Sequence, residues 1–358
     1  MTIPFRRVHL TGREIGYVRE AIESGQLSGD GPFTRRCEAW LQANAPCARA
    51  FLTHSGTAAL EMAAILANAG PGDEIIMPSF TFPSTANAFV LNGATPVFVD
   101  IDPSTLCIDP ARVANAVTAN TKAIVPVHYA GVSADMPALQ SHGILIIEDA
   151  AQALLAVQPG AMAAVSFHET KNVSAGEGGA LLINDERFID RAEIVREKGT
   201  NRAAFMRGEV EQYEWVERGS SFAPGELSAA FLLAQLEEAR AITARGVAIW
   251  NRYHALLDGV VERPRAPSPN GHIYYVLMES ESARTRAIQE LATRGIQSVF
   301  HYVPLHSAPA GRRYGRTSGP MEVTEDVSRR LLRLPLWPEM ADAQVEAVAE
   351  ALRDIARR

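Results

Sequence analysis

Cysteine is scarce in this chain. The three present, Cys37, Cys47 and Cys107, form no CxxC pair and no metal-ligand spacing, so a zinc ribbon and a disulfide framework are excluded. A sparse, odd count fits a reducing compartment, and a cytoplasmic location is expected. Long basic blocks are missing too, and the net charge is -7, which argues against a nucleic-acid partner. The most apolar stretch, Ile144 to Val157, is broken by Glu148 and Asp149 and is too short to cross a bilayer, so no membrane partner is expected. The first residues meet Arg6 and Arg7 before any apolar run and do not read as a signal peptide. No G-x-G-x-x-G follows the first strand, no Walker lysine motif occurs, and no H-E-x-x-H occurs among the histidines. Nicotinamide, nucleoside-triphosphate and zinc-protease chemistries therefore lose ground.

What is present is an ordinary globular composition, 47% hydrophobic and 21% charged, in a chain of 358 residues. That length exceeds one typical core and predicts two domains. Residues 1–240 read as a large domain and 241–358 as a smaller α+β unit. Helices are expected over Glu14–Ser24 and Ser55–Asn68, and one long helix over Pro224–Leu257. Apolar runs at Glu74–Met77, Thr95–Val99, Ala123–Val127, Ile144–Glu148, Ala164–Phe167 and Ala180–Ile183 read as strands buried on both faces. The fold class is then α/β with a mostly parallel sheet. Beyond the loop Arg263–Gly271, a strand His272–Met278, a helix Ser282–Arg294, a strand Gln297–Tyr302 and a closing helix Met340–Arg357 are expected.

The chemistry gathers around Lys171, in Ser166-Phe167-His168-Glu169-Thr170-Lys171-Asn172, ahead of Gly176-Glu177-Gly178-Gly179. Alone, a lysine near a strand end is a surface residue. Here the apolar run Ala163–Phe167 precedes it, and desolvation would lower its pKa and make it a nucleophile and base. Asp149 ends another buried run, where ligands of open α/β sheets bind. It reads equally as a helix N-cap. A lysine for a Schiff base and an acid for a pyridine nitrogen are what a pyridoxal 5'-phosphate site needs. Ser55-Gly56-Thr57 opens a helix whose free N–H groups suit a phosphate, or are simply capped by Ser55. Ser166 offers a hydroxyl to the same phosphate. Gln152 is a donor for the cofactor's phenolic oxygen or a surface amide, and Phe82 a stacking ring or a core residue.

These segments resemble a known family, the DegT/DnrJ/EryC/StrS-type sugar-nucleotide aminotransferases of aspartate aminotransferase fold type I. The likeness spans nearly the whole chain. It rests on Gly29-Asp30-Gly31-Pro32-Phe33-Thr34-Arg35-Arg36, Pro78–Phe82, Pro126–Gly131, Glu148–Gln152, Ser166–Asn172 and Phe300–His306. Within the family, Arg196–Arg202 and Ser166–Asn172 look most like the dTDP-4-amino-4,6-dideoxygalactose transaminases, which aminate dTDP-4-dehydro-6-deoxyglucose. The resemblance implies a pyridoxal 5'-phosphate enzyme with Lys171 as Schiff-base lysine and proton shuttle, and Asp149 on the pyridine nitrogen. It implies Gln152 on the phenolic oxygen, Gly56, Thr57 and Ser166 on the phosphate, and Phe82 on the ring. It places His301 and Tyr302 where a small domain closes over a dTDP-keto-sugar, names glutamate as donor, and implies a homodimer with shared active sites.

Two departures stand out. Ser221, in Gly219-Ser220-Ser221-Phe222-Ala223-Pro224, takes the place of an asparagine that in many relatives reaches the partner subunit's phosphate; the closest branch also has serine. The stretch from Gln152 to Ser166 lacks a basic, glycine-containing connector of roughly half a dozen residues, which leaves open a reshaped loop. Two rivals share the resemblance. One is a sugar dehydratase with histidine for lysine, which Lys171 opposes although His168 is near. The other is a catalytically silent cofactor- or sugar-nucleotide-binding protein.

Overall fold

The computed structural model describes residues 2–357. Its strands are β1 (Arg49–Thr53), β2 (Glu74–Pro78), β3 (Thr95–Val99), β4 (Thr121–Ile124), β5 (Leu145–Asp149), β6 (Met162–Ser166), β7 (Gly179–Ile183), β8 (Tyr274–Leu277), β9 (Val299–Phe300), β10 (Arg316–Thr317) and β11 (Leu331–Leu334). Eight form one sheet in the order β1-β7-β6-β5-β4-β2-β3-β10. From β6 to β10 every pairing is parallel, and β7 alone runs against both its neighbours, β6 and β1. The expected mostly parallel α/β sheet is therefore present. β1 and β10, which no apolar run announced, form its edges.

The continuous apolar runs are explained by cover on both faces. On one face, the helices Gly56–Leu66 and Pro83–Val90 pack over Ile75, Met77, Met162 and Leu181. On the other, Glu14–Glu23, Pro32–Asn44 and Glu226–Glu237 cover Leu52, Val165 and Leu182. The expected long helix at Pro224–Leu257 is two helices, Glu226–Glu237 and Ala239–Leu256. Glu238 breaks the run with φ -103° and ψ 4°, away from helical values.

The second sheet has three strands in the order β8-β11-β9, all antiparallel. Its own core joins Trp250, Tyr253, Tyr274, Val276, Leu291, Leu332 and Leu352. Two segments cross the boundary expected at 240/241. Ile3 bridges Ile296 and lies in the small core, while β10 returns to pair with β3 of the large sheet. The strand expected over Gln297–Tyr302 is two residues long, so His301 and Tyr302 leave the sheet and turn toward the large unit.

Candidate active site

The carboxyl ends of the parallel strands open onto one cavity of about 440 Å³. β5 ends in Asp149 and β6 in Ser166; β2 runs into Ser79–Phe82, and β4 leads to Val127. The small sheet closes the far side with His272, His301, Tyr302 and Arg333. Of the residues singled out in the sequence, Gly56, Thr57, Phe82, Asp149, Gln152, Ser166, Lys171, His301 and Tyr302 all line this cavity. Ser221 does not; it is exposed, bridging Glu197.

Asp149 is 5% exposed, and its carboxylate is held from two sides. The Thr85 hydroxyl donates to Oδ2 at 2.6 Å, and the Ala151 N–H donates to Oδ1 at 3.1 Å. Thr81 extends this chain to Thr85 at 2.8 Å. Asp149 is a strand end, not a helix N-cap, since β5 runs through it and a turn follows.

Lys171 sits five positions beyond the end of β6, in the turn that follows the strand. Its N–H donates to the His168 carbonyl at 2.9 Å, and the loop is closed by Ala175 N–H on the Phe167 carbonyl at 2.8 Å. Burial pulls the Lys171 ammonium down to about 8; Asp149 opposes this, and Arg333 and Arg6 add to it by repulsion. A lysine so placed carries a usable fraction of free amine near neutral pH.

Ser55 caps the helix Gly56–Leu66 by accepting from Ala58 N–H at 3.0 Å. The first N–H groups of that helix are left free by the helix itself and face the cavity at Gly56 and Thr57. A Cβ on Gly56 would stand 2.9 Å from Ser166 Cβ, and one on Gly179 would stand 2.3 Å from Ser55 carbon. Glycine at both positions brings the helix start and the end of β6 into one cradle. Thr57 and Ser84 hydroxyls meet at 2.7 Å across it. Phe82 is 57% exposed in the cavity wall, a bare aromatic face, not a core ring.

Gln152 is fixed at both ends. Its Oε1 accepts from Ala130 N–H at 2.7 Å, and its amide donates to Tyr302 Oη at 2.9 Å, tying the large unit to the small one. One amide hydrogen remains. The shortened connector leaves both Gln152 and Ser166 in the cavity wall, and Glu148 anchors it. That carboxylate, fully buried, accepts from Gln158 N–H at 2.8 Å, Gly160 N–H at 2.7 Å and His128 Nε2 at 2.7 Å. Thr85, Ser84, His272 and Arg333 were not legible as site residues. Thr85 and Ser84 follow Phe82 closely, but nothing distinguishes their hydroxyls from helix-start residues, and Arg333 lies on a strand that no pattern announced. Among the described residues, no group of three or more His, Cys, Asp or Glu could hold a metal ion, and no helix is long and apolar enough to cross a membrane.

A helix start that leaves N–H groups free, a buried acid at a strand end and a low-pKa lysine, on an eight-stranded mostly parallel sheet, define a pyridoxal-phosphate-dependent enzyme of fold type I. The chain belongs to the DegT/DnrJ/EryC1/StrS aminotransferase family, whose profile matches residues 9–353. It is 35% identical to the spore coat polysaccharide biosynthesis protein SpsC of Bacillus subtilis, over 99% of this chain and 97% of that one. Its structure resembles the putative sugar aminotransferase Spr1654 from Streptococcus pneumoniae in its PMP form, with TM-score 0.91, 27% identity and 99% of each chain covered. It also resembles DesV of S. venezuelae, with TM-score 0.90 and 30% identity, covering 100% of this chain and 99% of that one. The protein is a sugar aminotransferase.

Proposed function

We propose that the enzyme moves the amino group of glutamate onto C4 of dTDP-4-dehydro-6-deoxy-D-glucose, giving a dTDP-4-amino-4,6-dideoxy sugar. The observation that carries the reading is Lys171, its pKa drawn to about 8, in one cavity with the buried carboxylate of Asp149. The choice of sugar rests on the likeness of Arg196–Arg202 and Ser166–Asn172 to one branch of the family. The related SpsC, named for spore coat polysaccharide biosynthesis, supports a role in building a surface polysaccharide.

The residues present fit pyridoxal phosphate. Gly56, Thr57 and Ser166 line one cradle in the cavity wall, and they would hold the phosphate. Asp149 would pair with the pyridine nitrogen, Gln152 would donate its remaining amide hydrogen to the phenolic oxygen, and Phe82 would cover the ring. When bound, the cofactor supplies an electron-accepting ring that acidifies the C–H bond beside the transferred nitrogen. Asp149, braced by Thr85 and Ala151, would set its carboxylate against that ring. Lys171 Nζ would hold the cofactor at rest and, once released, would carry the proton from the donor carbon and back, serving the sugar half in the reverse sense.

Residues 1–240 act as the cofactor domain and 241–358 as a unit closing over the sugar nucleotide with His301 and Tyr302. The working form is a cytoplasmic homodimer, with Ser221 reaching toward the partner's phosphate site. An exposed apolar set on the same segment, Phe205, Met206, Tyr213 and Trp215, supports this, with Trp215 80% exposed.

The test incubates the cofactor-loaded enzyme with glutamate and dTDP-4-dehydro-6-deoxyglucose and assigns the product by NMR. An amino group at C4 is expected, with the H3–H4 coupling giving its configuration. Conversion of the cofactor by glutamate without any sugar product would leave the aminotransferase and overturn the sugar. A 3-keto dTDP sugar or a UDP-linked 4-keto sugar would then be the acceptor to try. A cofactor that no amino donor converts would indicate a silent binding protein.

A further inference from the structure

Asn172, the residue after Lys171, is clamped by Arg6, Asn270 and His272. Its Nδ2 donates to the Asn270 carbonyl at 2.7 Å, which leaves Oδ1 as its accepting atom. Arg6 Nη2 donates to Oδ1 at 3.0 Å, and His272 Nδ1 lies 3.0 Å from the same oxygen. Arg6 belongs to the N-terminal arm, whose Ile3 lies in the small core, and His272 leads into β8. Asn270 braces His272 in turn. Its Oδ1 accepts from His272 N–H at 3.0 Å, and its Nδ2 donates to the Gln152 carbonyl at 2.6 Å.

The clamp sets the state of the His272 ring. An amide oxygen only accepts, so Nδ1 carries the ring proton and Nε2 keeps a bare lone pair. The ring is 4% exposed, and burial, then Arg6, Lys171, Arg333 and His301, push its imidazolium well below the ordinary range. His272 is therefore neutral, an acceptor of hydrogen bonds and not of protons. Among the described residues, the ring's one hydrogen bond is the Nδ1 contact with Asn172. Lys171 lies close enough for its charge to act on the ring. The two residues line the main cavity together, and a second, smaller one as well.

We propose that His272 is a positioning residue for proton transfer: once Lys171 is released in the loaded enzyme, its Nζ–H donates to His272 Nε2. This rests on Lys171 carrying the proton, as proposed above. A lysine amine on a four-carbon stem has many orientations, and proton transfer uses the one that points its lone pair at the reacting carbon. One hydrogen bond to a fixed acceptor holds Nζ at a set place. A neutral ring does this without adding a charge that would compete with Asp149 or take the proton itself. The clamp on Asn172 fixes both the backbone beside Lys171 and the ring that receives its amine. Arg6 serves the same end, since its hold on Asn172 Oδ1 leaves that oxygen facing two donors.

Two substitutions separate this role from simple anchoring. In His272→Asn the amide can stand where Nδ1 stood and still donate to Asn172, but the Nε2 acceptor is gone. In His272→Gln the amide oxygen can replace Nε2, but the Nδ1 donor is gone. Single turnovers of the holoenzyme with glutamate deuterated at the α-carbon, followed by cofactor absorbance, should be about 10- to 100-fold slower in His272→Asn, with a larger isotope effect. The apparent Kd for glutamate should change less than about threefold, and His272→Gln should recover most of the rate. Both half-reactions should slow alike, because Lys171 serves both. A normal His272→Asn with an impaired His272→Gln overturns the proposal, leaving the ring as an anchor for Asn172. A loss confined to the sugar half-reaction also overturns it and assigns Nε2 to a sugar hydroxyl. A second readout needs no turnover: nitrogen NMR of the His272 ring in protein loaded with pyridoxal phosphate and with pyridoxamine phosphate, which leaves Lys171 free. The Nε2 resonance should move between the two forms, and Lys171→Ala should abolish the difference. An unmoved Nε2, or a ring protonated there, overturns the proposal even if neither variant folds. A wild-type enzyme that no amino acid converts would defeat the aminotransferase reading instead, while a moved Nε2 would still uphold the contact.

Discussion

Asp149 helps to set the charge of Lys171. Asp149 raises the lysine pKa while burial and the two arginines lower it, and the balance lies near 8. The ammonium has no lone pair, so capture of pyridoxal phosphate by the apoprotein should speed up as pH rises through about 8 and level off above it. Replacing Arg333 by Gln removes a repelling charge and moves that midpoint up. Replacing Asp149 by Asn removes an attracting charge and moves it down. Stopped-flow capture rates across pH read both shifts, and midpoints that stay together would contradict the account. Lys171→Ala should abolish turnover and lose covalent cofactor capture altogether. Thr85→Val removes the hydroxyl from both Asp149 and Thr81; loss of the charge-assisted bond to Asp149, about 1.5–3 kcal/mol, should lower kcat about 10- to 100-fold. Glutamate affinity should hardly move. Lys171, Asp149 and Ser166 were legible because buried apolar runs end at or just before them, and strand ends are where such sheets bind ligands. Thr85 was not, because a threonine near a helix start looks the same whether or not a carboxylate lies across from it. Arg333 and His272 were not, because they come from the other unit and meet the site only in three dimensions.

At the scale of elements, two buried carboxylates do structural work that local patterns hide. Glu226, from the start of a helix nearly two hundred residues away, caps the helix Pro32–Asn44. It accepts from Gly31 N–H at 3.1 Å, Phe33 N–H at 2.7 Å and Thr34 N–H at 3.0 Å, and from the Thr34 hydroxyl. A Cβ on Gly31 would stand 2.5 Å from the Glu226 carboxyl carbon, so the motif Gly29–Arg36 is shaped around this acid. Glu226→Ala leaves these donors unpaired and should cost at least about 3 kcal/mol in urea unfolding, with Glu226→Gln milder. That cap also explains why this helix went unread: its own start carries no Ser, Thr, Asp or Asn at the cap, where Gly31 sits. Glu148 does the same for the shortened connector. His128 Nδ1 accepts from Ala134 N–H at 3.1 Å, which puts the ring proton on Nε2, facing Glu148. Glu148→Ala should free the connector, cost a similar amount, and raise proteolysis between 153 and 161. An unchanged cleavage pattern would mean the connector is held by other contacts.

The whole molecule divides its work between a sheet that presents chemistry and a small unit that closes over it. Much of the large sheet was legible because β2, β3, β5, β6 and β7 are buried over four or more consecutive residues and so stand out as apolar runs. The small sheet was harder to read, its strands being two to four residues long and its pairing set by distant partners. The same scale carries the proposed dimer. Trp215 is 80% exposed and Met206 70%, on a segment that leads to Ser221, and an isolated chain gains nothing by showing water such surface. Burying these side chains against a second copy contributes about 1.5–3 kcal/mol for each one fully covered. Trp215→Asp should therefore shift the light-scattering mass from twice the chain mass toward one. If Ser221 serves the partner's phosphate site, the monomeric variant should also bind pyridoxal phosphate more weakly. Ser221→Ala should weaken the cofactor while the dimer persists. A Trp215→Asp protein that stays dimeric would move the interface elsewhere, and a monomer with undiminished cofactor affinity would make each active site the property of a single chain.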